Sequence, residues 1–244
     1  MPATAFEITP HRSTPVLYES CAMPDPEPVV YVVDDDISVR ESLEMLLINE
    51  GWRAKIFPSA LEFMASPRAD APGCLVLDVN LPDLSGLELQ SLIADDQAGM
   101  PIIFITGFGD IPTTVQAMKA GAAEFLTKPI DDDSLISAIR TAVERSRASR
   151  RERAVERTLQ AVYETLSRRE REVLALVVSG LMNKQVGGEL GISEITVKAH
   201  RGQVMRKMKA GSLAELIEMA ARLNIRRGGP GDATQTTRPD QRFN

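Results

Sequence analysis

The chain has 244 residues, and 43% of them are hydrophobic, which is enough apolar material for the core of one large domain or two small ones. Its two cysteines, Cys21 and Cys74, exclude a disulfide-stabilised scaffold and indicate a reducing, cytoplasmic compartment. No apolar run approaches the length of a membrane span, and Pro2, Pro10 and Pro15 interrupt the region where a signal peptide needs an unbroken apolar segment. We therefore expect a cytoplasmic protein that does not enter a membrane.

Charge is divided unevenly along the chain, whose net charge is −6. Residues 1–159 carry 14 basic and 25 acidic side chains, a net charge of −11, whereas residues 160–227 carry 12 basic and 7 acidic side chains, a net charge of +5. An acidic first part joined to a basic second part indicates two modules with different partners. The partner of the second module is predicted to be a polyanion.

Residues 1–28 contain several prolines among small and polar residues, without periodicity, and predict a disordered tail. From Val29 onward, short apolar runs alternate with amphipathic segments, as in repeated strand-helix units. Five such units with short connections predict a doubly wound parallel sheet with helices on both faces. The predicted strands cover residues 29–33, 52–57, 74–78, 101–106 and 124–127, and the first four predicted helices cover residues 37–49, 58–65, 86–95 and 112–120.

One edge of this sheet collects the residues that follow the strands, namely Asp34, Asp35, Asp78, Thr106 and Lys128. Three carboxylates at one rim raise one another's pKa, and a hard divalent cation such as Mg²⁺ together with the lysine would balance their charge. This set suits phosphoryl transfer in which Asp78 is the nucleophile, Thr106 and Lys128 contact the phosphoryl group, and the product is an aspartyl phosphate. Taken singly, each residue has an ordinary structural explanation, and Asp78 alone could be a loop-capping aspartate.

A long helix is predicted after the Asp131-Asp132-Asp133 run, because no Gly or Pro occurs from Ile130 to Ser179. The first part of this helix has an apolar stripe that we expect to pack on the sheet, formed by Leu135, Ile136, Ile139 and Val143. Residues 141–160 mix Arg with Glu and predict a semi-rigid helical linker. DNA binding by these arginines is the alternative, and the interleaved Glu residues argue against it.

Residues 161–225 predict four further helices. The Ser167–Glu170 segment is a capping box that opens the first of them, and Gly191 is the expected left-handed C-cap of the second, over residues 183–190. Ser193 caps the third, over residues 194–208, and a second capping box at Ser212 opens the fourth. A short turn with Gly between the second and third helices is typical of a helix-turn-helix.

The third of these helices has the pattern of a DNA-recognition helix. Val197, Val204 and Met208 are predicted to face the core with His200 beside them, while small residues on the exposed side would let the helix enter the major groove. We expect contacts with double-stranded DNA from Lys184, Thr196, Lys198, Ala199, Arg201, Gly202, Gln203 and Arg206. A solvated basic helix is the alternative, and His200 has no second ligand at a spacing that would bind a metal.

The segments Val-Val-Asp-Asp-Asp, Leu-Val-Leu-Asp-Val-Asn-Leu-Pro, Ile-Ile-Phe-Ile-Thr-Gly and Phe-Leu-Thr-Lys-Pro resemble the signature blocks of the response-regulator receiver domain. The resemblance covers about residues 28–148 and implies the flavodoxin-like strand order and phosphorylation of Asp78 by a histidine kinase. It further implies Mg²⁺ bound by Asp35, Asp78 and the backbone carbonyl of Asn80, with Asp34 acting mostly through water. By the same resemblance, Thr106 and Phe125 form a switch pair, and the Lys128–Pro129 peptide bond is cis.

The second module resembles the LuxR-type DNA-binding domain over about residues 160–225, through the segments Leu-Ser-Arg-Arg-Glu-Arg-Glu-Val-Leu, Asn-Lys-Gln-Val, Leu-Gly-Ile-Ser and Thr-Val-Lys-Ala-His-Arg. A receiver, a spacer and this domain together are similar to the NarL/FixJ class of transcription regulators, and most of all to its FixJ-like branch. The resemblance implies DNA contacts from Lys198, Ala199 and their neighbours, and pairing of two domains through the fourth helix. Gly187 stands where such domains usually carry Ala.

The expected organisation is a tail over residues 1–28, a receiver over 29–140, a linker over 141–160, a DNA-binding domain over 161–225 and a disordered tail over 226–244. The expected function is that of a phosphorylation-activated transcription regulator, not an enzyme, which dimerises on phosphorylation and has RNA polymerase as a further partner.

Two alternatives to this function stay open. One is a constitutive DNA-binding regulator whose receiver is only a dimerisation scaffold. The other is an aspartate-dependent phosphatase, which would need a second general acid or base near Asp78, where Asn80 supplies only an amide.

Overall fold

The computed structural model describes residues 26–94, 99–107 and 111–225, which divide into two compact units between Arg153 and Ala154. Both predicted tails lie outside the described residues, apart from residues 26–28. Within the described ranges, no helix combines the length and apolar character needed to cross a membrane.

The first unit is a parallel five-stranded sheet with helices on both faces, as predicted. The strands pair in the order β2-β1-β3-β4-β5, which is the flavodoxin-like order. Its strands are β1 (Val29–Val33), β2 (Arg53–Phe57), β3 (Gly73–Asp78), β4 (Ile102–Thr106) and β5 (Glu124–Thr127), and its first helices are α1 (Ile37–Asn49), α2 (Ala60–Ala65), α3 (Gly86–Ala94) and α4 (Ile111–Lys119). The chain continues into α5 (Asp132–Glu164), so the predicted linker over residues 141–160 is helical.

Alternate residues of the strands build two hydrophobic cores, one on each face of the sheet. Val30 and Val32 of β1 pack with α1 and with the start of α5, where the predicted stripe of Leu135, Ile136, Ile139 and Val143 is buried. The other β1 residues pack with Phe63 of α2 and Leu89 of α3. Because β1, β3 and β4 are buried along their whole length, they have apolar residues on both faces, as expected for central parallel strands.

The register of β1 against β3 aligns the two acidic residues predicted to form the site. Val33 pairs with Leu77, so the residues that follow them, Asp34 and Asp78, lie side by side at the carboxyl edge of the sheet. Cys74 lies inside β3 as a buried free thiol, and burial raises the pKa of this thiol to about 12.

Three helix starts differ by a residue or two from the sequence prediction, and one of them is that of α5, which begins at Asp132 rather than after Asp133. We predicted that α2 would start at Pro58, but it starts at Ala60, because the Ser59 side chain accepts a hydrogen bond from the backbone N–H of Glu62 and acts as the N-cap. The prediction for α4 began at Pro112, one residue after its actual start at Ile111. A proline fits the first turn of a helix, where its missing N–H would have no partner, and so does not mark the first residue.

The second unit contains the end of α5 and four helices, α6 (Arg168–Val178), α7 (Asn183–Leu190), α8 (Glu194–Met208) and α9 (Leu213–Arg222). The predicted caps are present: Ser167 and Glu170 form a capping box, and Gly191 is left-handed with φ 65°. Val197, Val204 and Met208 of α8 are buried, as the helical pattern predicted.

Glu170 joins α6 to α8 through an ion pair. One of its carboxylate oxygens lies 2.7 Å from Lys207 Nζ and also accepts the backbone N–H of Ser167 at 2.6 Å. The hydrogen bond from Lys207, with support from Ser167, holds the pKa of the Glu170 carboxyl below its ordinary value despite the opposing effect of burial.

We expect Glu170→Gln to lower the free energy of unfolding of the second unit by about 2 kcal/mol at pH 7, the range for a hydrogen bond to a charged group. The pKa of Glu170 is lowered by folding, so the native state favours the charged form. This stabilisation is complete above the ordinary pKa of 4.5 and is lost as pH falls through the folded-state pKa. Denaturant unfolding at pH 7 and below pH 4, followed by circular dichroism, measures the difference.

The control for this experiment is internal, because the only tryptophan, Trp52, lies in the first unit. Its fluorescence transition should be the same in both proteins. An equal pH dependence of the second unit with and without Glu170 would contradict the prediction.

Candidate functional site

Three of the predicted residues form a hydrogen-bonded cluster at the carboxyl edge of the sheet. Lys128 Nζ lies 2.7 Å from Asp34 Oδ2 and 3.0 Å from Asp78 Oδ2. Asp34 is completely buried and Asp78 is 5% exposed, whereas the lysine is reached by solvent. A single ammonium group therefore contacts both carboxylates from the open side of the site.

Backbone groups fix the remaining oxygens of these carboxylates. The N–H of Asp36 donates to Asp34 Oδ1 at 2.9 Å, and the N–H of Asn80 donates to Asp78 Oδ1 at 3.2 Å. Arg40 Nη1 donates to the backbone carbonyl of Asp34 at 2.7 Å and so joins α1 to the site. Arg40 was not among the residues predicted for the site; its position one turn after the acidic run, on the helix that begins there, is the signal that could have indicated it.

The pKa values of Asp34 and Lys128 are both raised, but for different reasons. Burial raises the pKa of the Asp34 carboxyl, and the neighbouring Asp78 adds to the effect, although Lys128 and the N–H of Asp36 oppose it. Burial lowers the pKa of Lys128, but its hydrogen bonds to Asp34 and Asp78 outweigh that and leave its pKa above the ordinary value. Lys128 is therefore a cation at neutral pH.

Asp35 completes a group of three acidic residues that could hold a metal ion. One carboxylate oxygen each from Asp34, Asp35 and Asp78 lies within 4.8 Å of the other two. Asp35 is exposed, unlike Asp34. Three carboxylates and one lysine leave two negative charges, so the donor set fits a hard divalent cation such as Mg²⁺. Asn80, which was predicted to offer its backbone carbonyl, is exposed and lies two residues after Asp78 in the chain.

Thr106 and Phe125, the predicted switch pair, lie on the neighbouring strands β4 and β5. Thr106 is completely buried at the end of β4, and its backbone carbonyl accepts the N–H of Lys128 at 2.7 Å. Phe125 is half-buried, with its ring centroid 6.3 Å from that of Phe104. The Lys128–Pro129 bond is cis, as the resemblance implied.

Gly86, the first residue of α3, is a supporting residue that was not predicted from the sequence. A Cβ atom at this position would lie 2.5 Å from the carbonyl oxygen of Asp78 and 3.1 Å from the Phe104 ring. The glycine therefore lets α3 approach the backbone that carries Asp78. A glycine at a helix start, where other residues favour the helix more, is the signal that could have indicated it.

The predicted DNA-contacting residues are on α7 and α8 of the second unit. Most are exposed, whereas Thr196 and Arg201 are half-buried; the exposed ones are Lys184, Lys198, Ala199, Gly202, Gln203 and Arg206. Arg201 Nη1 donates to Asn183 Oδ1 at 3.2 Å and so joins α8 to the start of α7.

Several of these side chains have partners within α8 or at its N-cap. Lys198 Nζ lies 3.3 Å from Glu194, Arg206 donates to Gln203, and the Thr196 hydroxyl is 2.9 Å from that of Ser193. His200 is half-buried beside the core residues of the helix, as predicted.

Gly202 is exposed in the middle of α8, and a Cβ atom there would meet nothing within 4 Å. We expect Gly202→Ala to stabilise the second unit by about 1 kcal/mol, because alanine favours a helix more than glycine does. If the bare backbone lies against DNA, the same change weakens DNA binding. Thermal unfolding and DNA titration measure the two effects.

Gly188 of α7 is the matched control, since it is also exposed with no atom within 4 Å of a Cβ. Gly188→Ala should stabilise the unit similarly and leave DNA affinity unchanged. Equal DNA affinity of Gly202→Ala and the unaltered protein would contradict close approach of DNA at this position.

Comparison with known families gives two matches that follow the two units. Residues 30–140 match the response regulator receiver domain, and residues 164–220 match the bacterial regulatory proteins of the luxR family. The solved structure described as a low-resolution structure of the response regulator StyR is 45% identical, with a TM-score of 0.72 over 80% of this chain and 99% of that one.

Curated relatives match along both units. Nodulation protein W of Bradyrhizobium diazoefficiens is 52% identical over 197 residues, which are 81% of this chain and 87% of that protein. The transcriptional regulatory protein FixJ of Azorhizobium caulinodans is 43% identical over 214 residues, which are 88% of this chain and all of that protein. The chain therefore belongs to the NarL/FixJ class of response regulators, phosphorylation-activated transcription regulators that join a receiver domain to a LuxR-type DNA-binding domain.

Proposed function

We propose that Asp78 is the phosphoryl acceptor of this regulator and that a partner histidine kinase is the donor. A carboxylate oxygen of Asp78 attacks phosphorus, a new P–O bond forms, and the bond from phosphorus to the kinase imidazole nitrogen breaks. The electron pair of that bond stays on the imidazole, so the carboxylate needs no base. The observation that carries the proposal is the contact of Lys128 with both Asp34 and Asp78 at the open edge of the sheet.

The side chains around Asp78 bind and orient the incoming group. Lys128 contributes a positive charge beside the acceptor oxygen, where the transferred group becomes negatively charged. The Thr106 hydroxyl is the proposed donor to the bound phosphoryl group. The residues that would hold Mg²⁺ are Asp34, Asp35, Asp78 and, through its backbone carbonyl, Asn80; the bound ion would neutralise negative charge at the site.

Phosphorylation would act on the rest of the protein through Thr106 and Phe125. Movement of the Thr106 hydroxyl towards the phosphoryl group leaves space that the half-buried Phe125 ring can enter, which changes the surface near β5. Receivers with this changed surface pair, and pairing brings two DNA-binding domains to one site at a high effective concentration. To move a receiver from 1% to 99% active, phosphorylation must favour the active state by about 5.5 kcal/mol.

We further propose that α8 and the start of α7 bind double-stranded DNA. The protein would act in the cytoplasm, with RNA polymerase as a further partner. The basic residues on these helices would contact phosphates, so binding should weaken steeply with salt.

Sedimentation and DNA binding of the full chain test this function, measured with acetyl phosphate in the presence of Mg²⁺ or of EDTA. We expect dimers and tighter DNA binding only when acetyl phosphate and Mg²⁺ are both present. If the protein is dimeric and binds DNA equally in every condition, the receiver is a scaffold and the proposed switch is wrong.

A further inference from the structure

Ile195 is the most exposed large hydrophobic residue in the described part of the chain, with 81% of its surface open to solvent. It lies in the first turn of α8, directly after Glu194, the first residue of that helix. Single exposed apolar side chains are common on protein surfaces, but this one stands on the helix that is proposed to bind DNA. A partner that covers it would explain why an isoleucine stands there.

The position of Ile195 on the helix indicates which partner this is. Residues three, four and seven positions apart lie on one face of a helix, so Ile195 shares a face with Lys198, Ala199 and Gly202. All three of these are exposed and are proposed above to contact DNA. Core residues Val197 and Val204 lie on the opposite side. Ile195 therefore extends the DNA-binding face by one turn towards the N-terminus of α8.

The chemistry of the major groove contains one apolar group that suits this side chain. Thymine presents its 5-methyl group there, and apolar side chains that touch it distinguish thymine from the other bases. In helix-turn-helix proteins the N-terminal part of the second helix contacts base edges. Lys198 lies on α8, three residues after Ile195, and Lys184 lies on α7. These basic side chains favour DNA over an apolar protein as the partner that covers Ile195.

We propose that Ile195 is a specificity-determining residue that contacts a thymine 5-methyl group in each half-site of the DNA target. The proposal rests on the DNA-binding role proposed above for α8. It predicts a requirement for thymine at one position that the charged and polar residues of the helix do not explain.

The test replaces thymine by deoxyuridine, which lacks only the 5-methyl group. A duplex is first selected from a random double-stranded pool with the phosphorylated full chain, and each thymine is then replaced in turn. For the unaltered protein, we expect one thymine position in each half-site to be sensitive to the replacement. Replacement at that position should weaken binding roughly fourfold, the effect of burying about one methyl group. For Ile195→Ala, we expect weaker binding to the thymine duplex and no further loss at that position with deoxyuridine.

Ile48→Ala is the control, since Ile48 is an exposed isoleucine on α1 of the first unit and its loss should leave the thymine-to-deoxyuridine ratio unchanged. A circular dichroism melt checks that Ile195→Ala is folded, as its exposure predicts.

If Ile195→Ala keeps the same ratio as the unaltered protein at every position, the proposal is wrong while the DNA-binding role stands. If it keeps that ratio and loses only transcription with RNA polymerase, the side chain contacts the polymerase and the proposal is again wrong. If no duplex is enriched by the unaltered protein, the DNA-binding role itself fails.

Discussion

Asp78→Asn is expected to abolish phosphoryl uptake from acetyl phosphate while the first unit remains folded. The amide has nearly the same shape, and its single oxygen can still accept one of the two hydrogen bonds of Asp78, which come from Lys128 and from the N–H of Asn80. It lacks the carboxylate that forms the bond to phosphorus, so no acyl phosphate can be made. Uptake of ³²P-labelled acetyl phosphate and the mass of the intact protein measure the loss directly.

Asp36→Asn is the matched control for this variant. Asp36 caps α1 by accepting the N–H of Ser38 at 2.8 Å, and asparagine caps a helix equally well. The control should therefore be phosphorylated and should dimerise as the unaltered protein does. Phosphoryl uptake by Asp78→Asn at the normal level would place the acceptor on another residue and would contradict the proposed function.

Lys128→Ala is expected to slow phosphorylation of Asp78 by about 10²- to 10³-fold, the range for loss of one charged or hydrogen-bonding group that stabilises a transition state. Without the ammonium group, the buried Asp34 and its neighbour Asp78 face each other with no cation between them. Their mutual repulsion raises the pKa of Asp34 further, but the loss of the lysine also removes one positive charge from the site, so weaker binding of a divalent cation is not expected to be the cause of slow labelling. Rates of labelling at several Mg²⁺ concentrations separate the chemical step from metal binding.

A matched change elsewhere in the first unit is Lys119→Ala, at the exposed end of α4. This change removes one positive charge outside the carboxylate cluster and should leave the labelling rate unchanged. Lys128→Arg is a second comparison, because it keeps the charge but replaces the compact ammonium with a planar group that cannot take the same position between two carboxylates. Normal labelling by Lys128→Ala would show that the lysine only stabilises the fold.

The sequence predicted that Asp34, Asp78 and Lys128 lie at one edge of the sheet, because the topology brings together residues that follow separate strands. Asp78 and Lys128 are 50 positions apart, yet parallel pairing in the observed order places both at the same edge. Buried apolar runs and glycine or proline boundaries were sufficient to locate all five strands.

The different roles of Asp34, Asp35 and Asp36 could not be predicted from the residue types. Asp34 is completely buried and bonds Lys128, Asp35 is exposed, and Asp36 caps α1. Three identical neighbours carry no pattern that says which one faces the sheet, since this depends on how the chain turns from β1 into α1. The bond from Arg201 to Asn183 was missed for a related reason, because a single helix pattern shows which face is buried but not which neighbouring helix it meets.

Insertions and deletions within β1 or β3 should be harmful to both folding and signalling. A shift by one residue would move every side chain of the strand to the opposite face, so the residues of the two cores would change places and no longer fit their neighbours. The same shift would separate Asp34 from Asp78 and move one of them away from Lys128. Proteins of this architecture should therefore tolerate changes of length in the surface connections, while a single added residue in either strand would both destabilise the fold and prevent the response to the kinase.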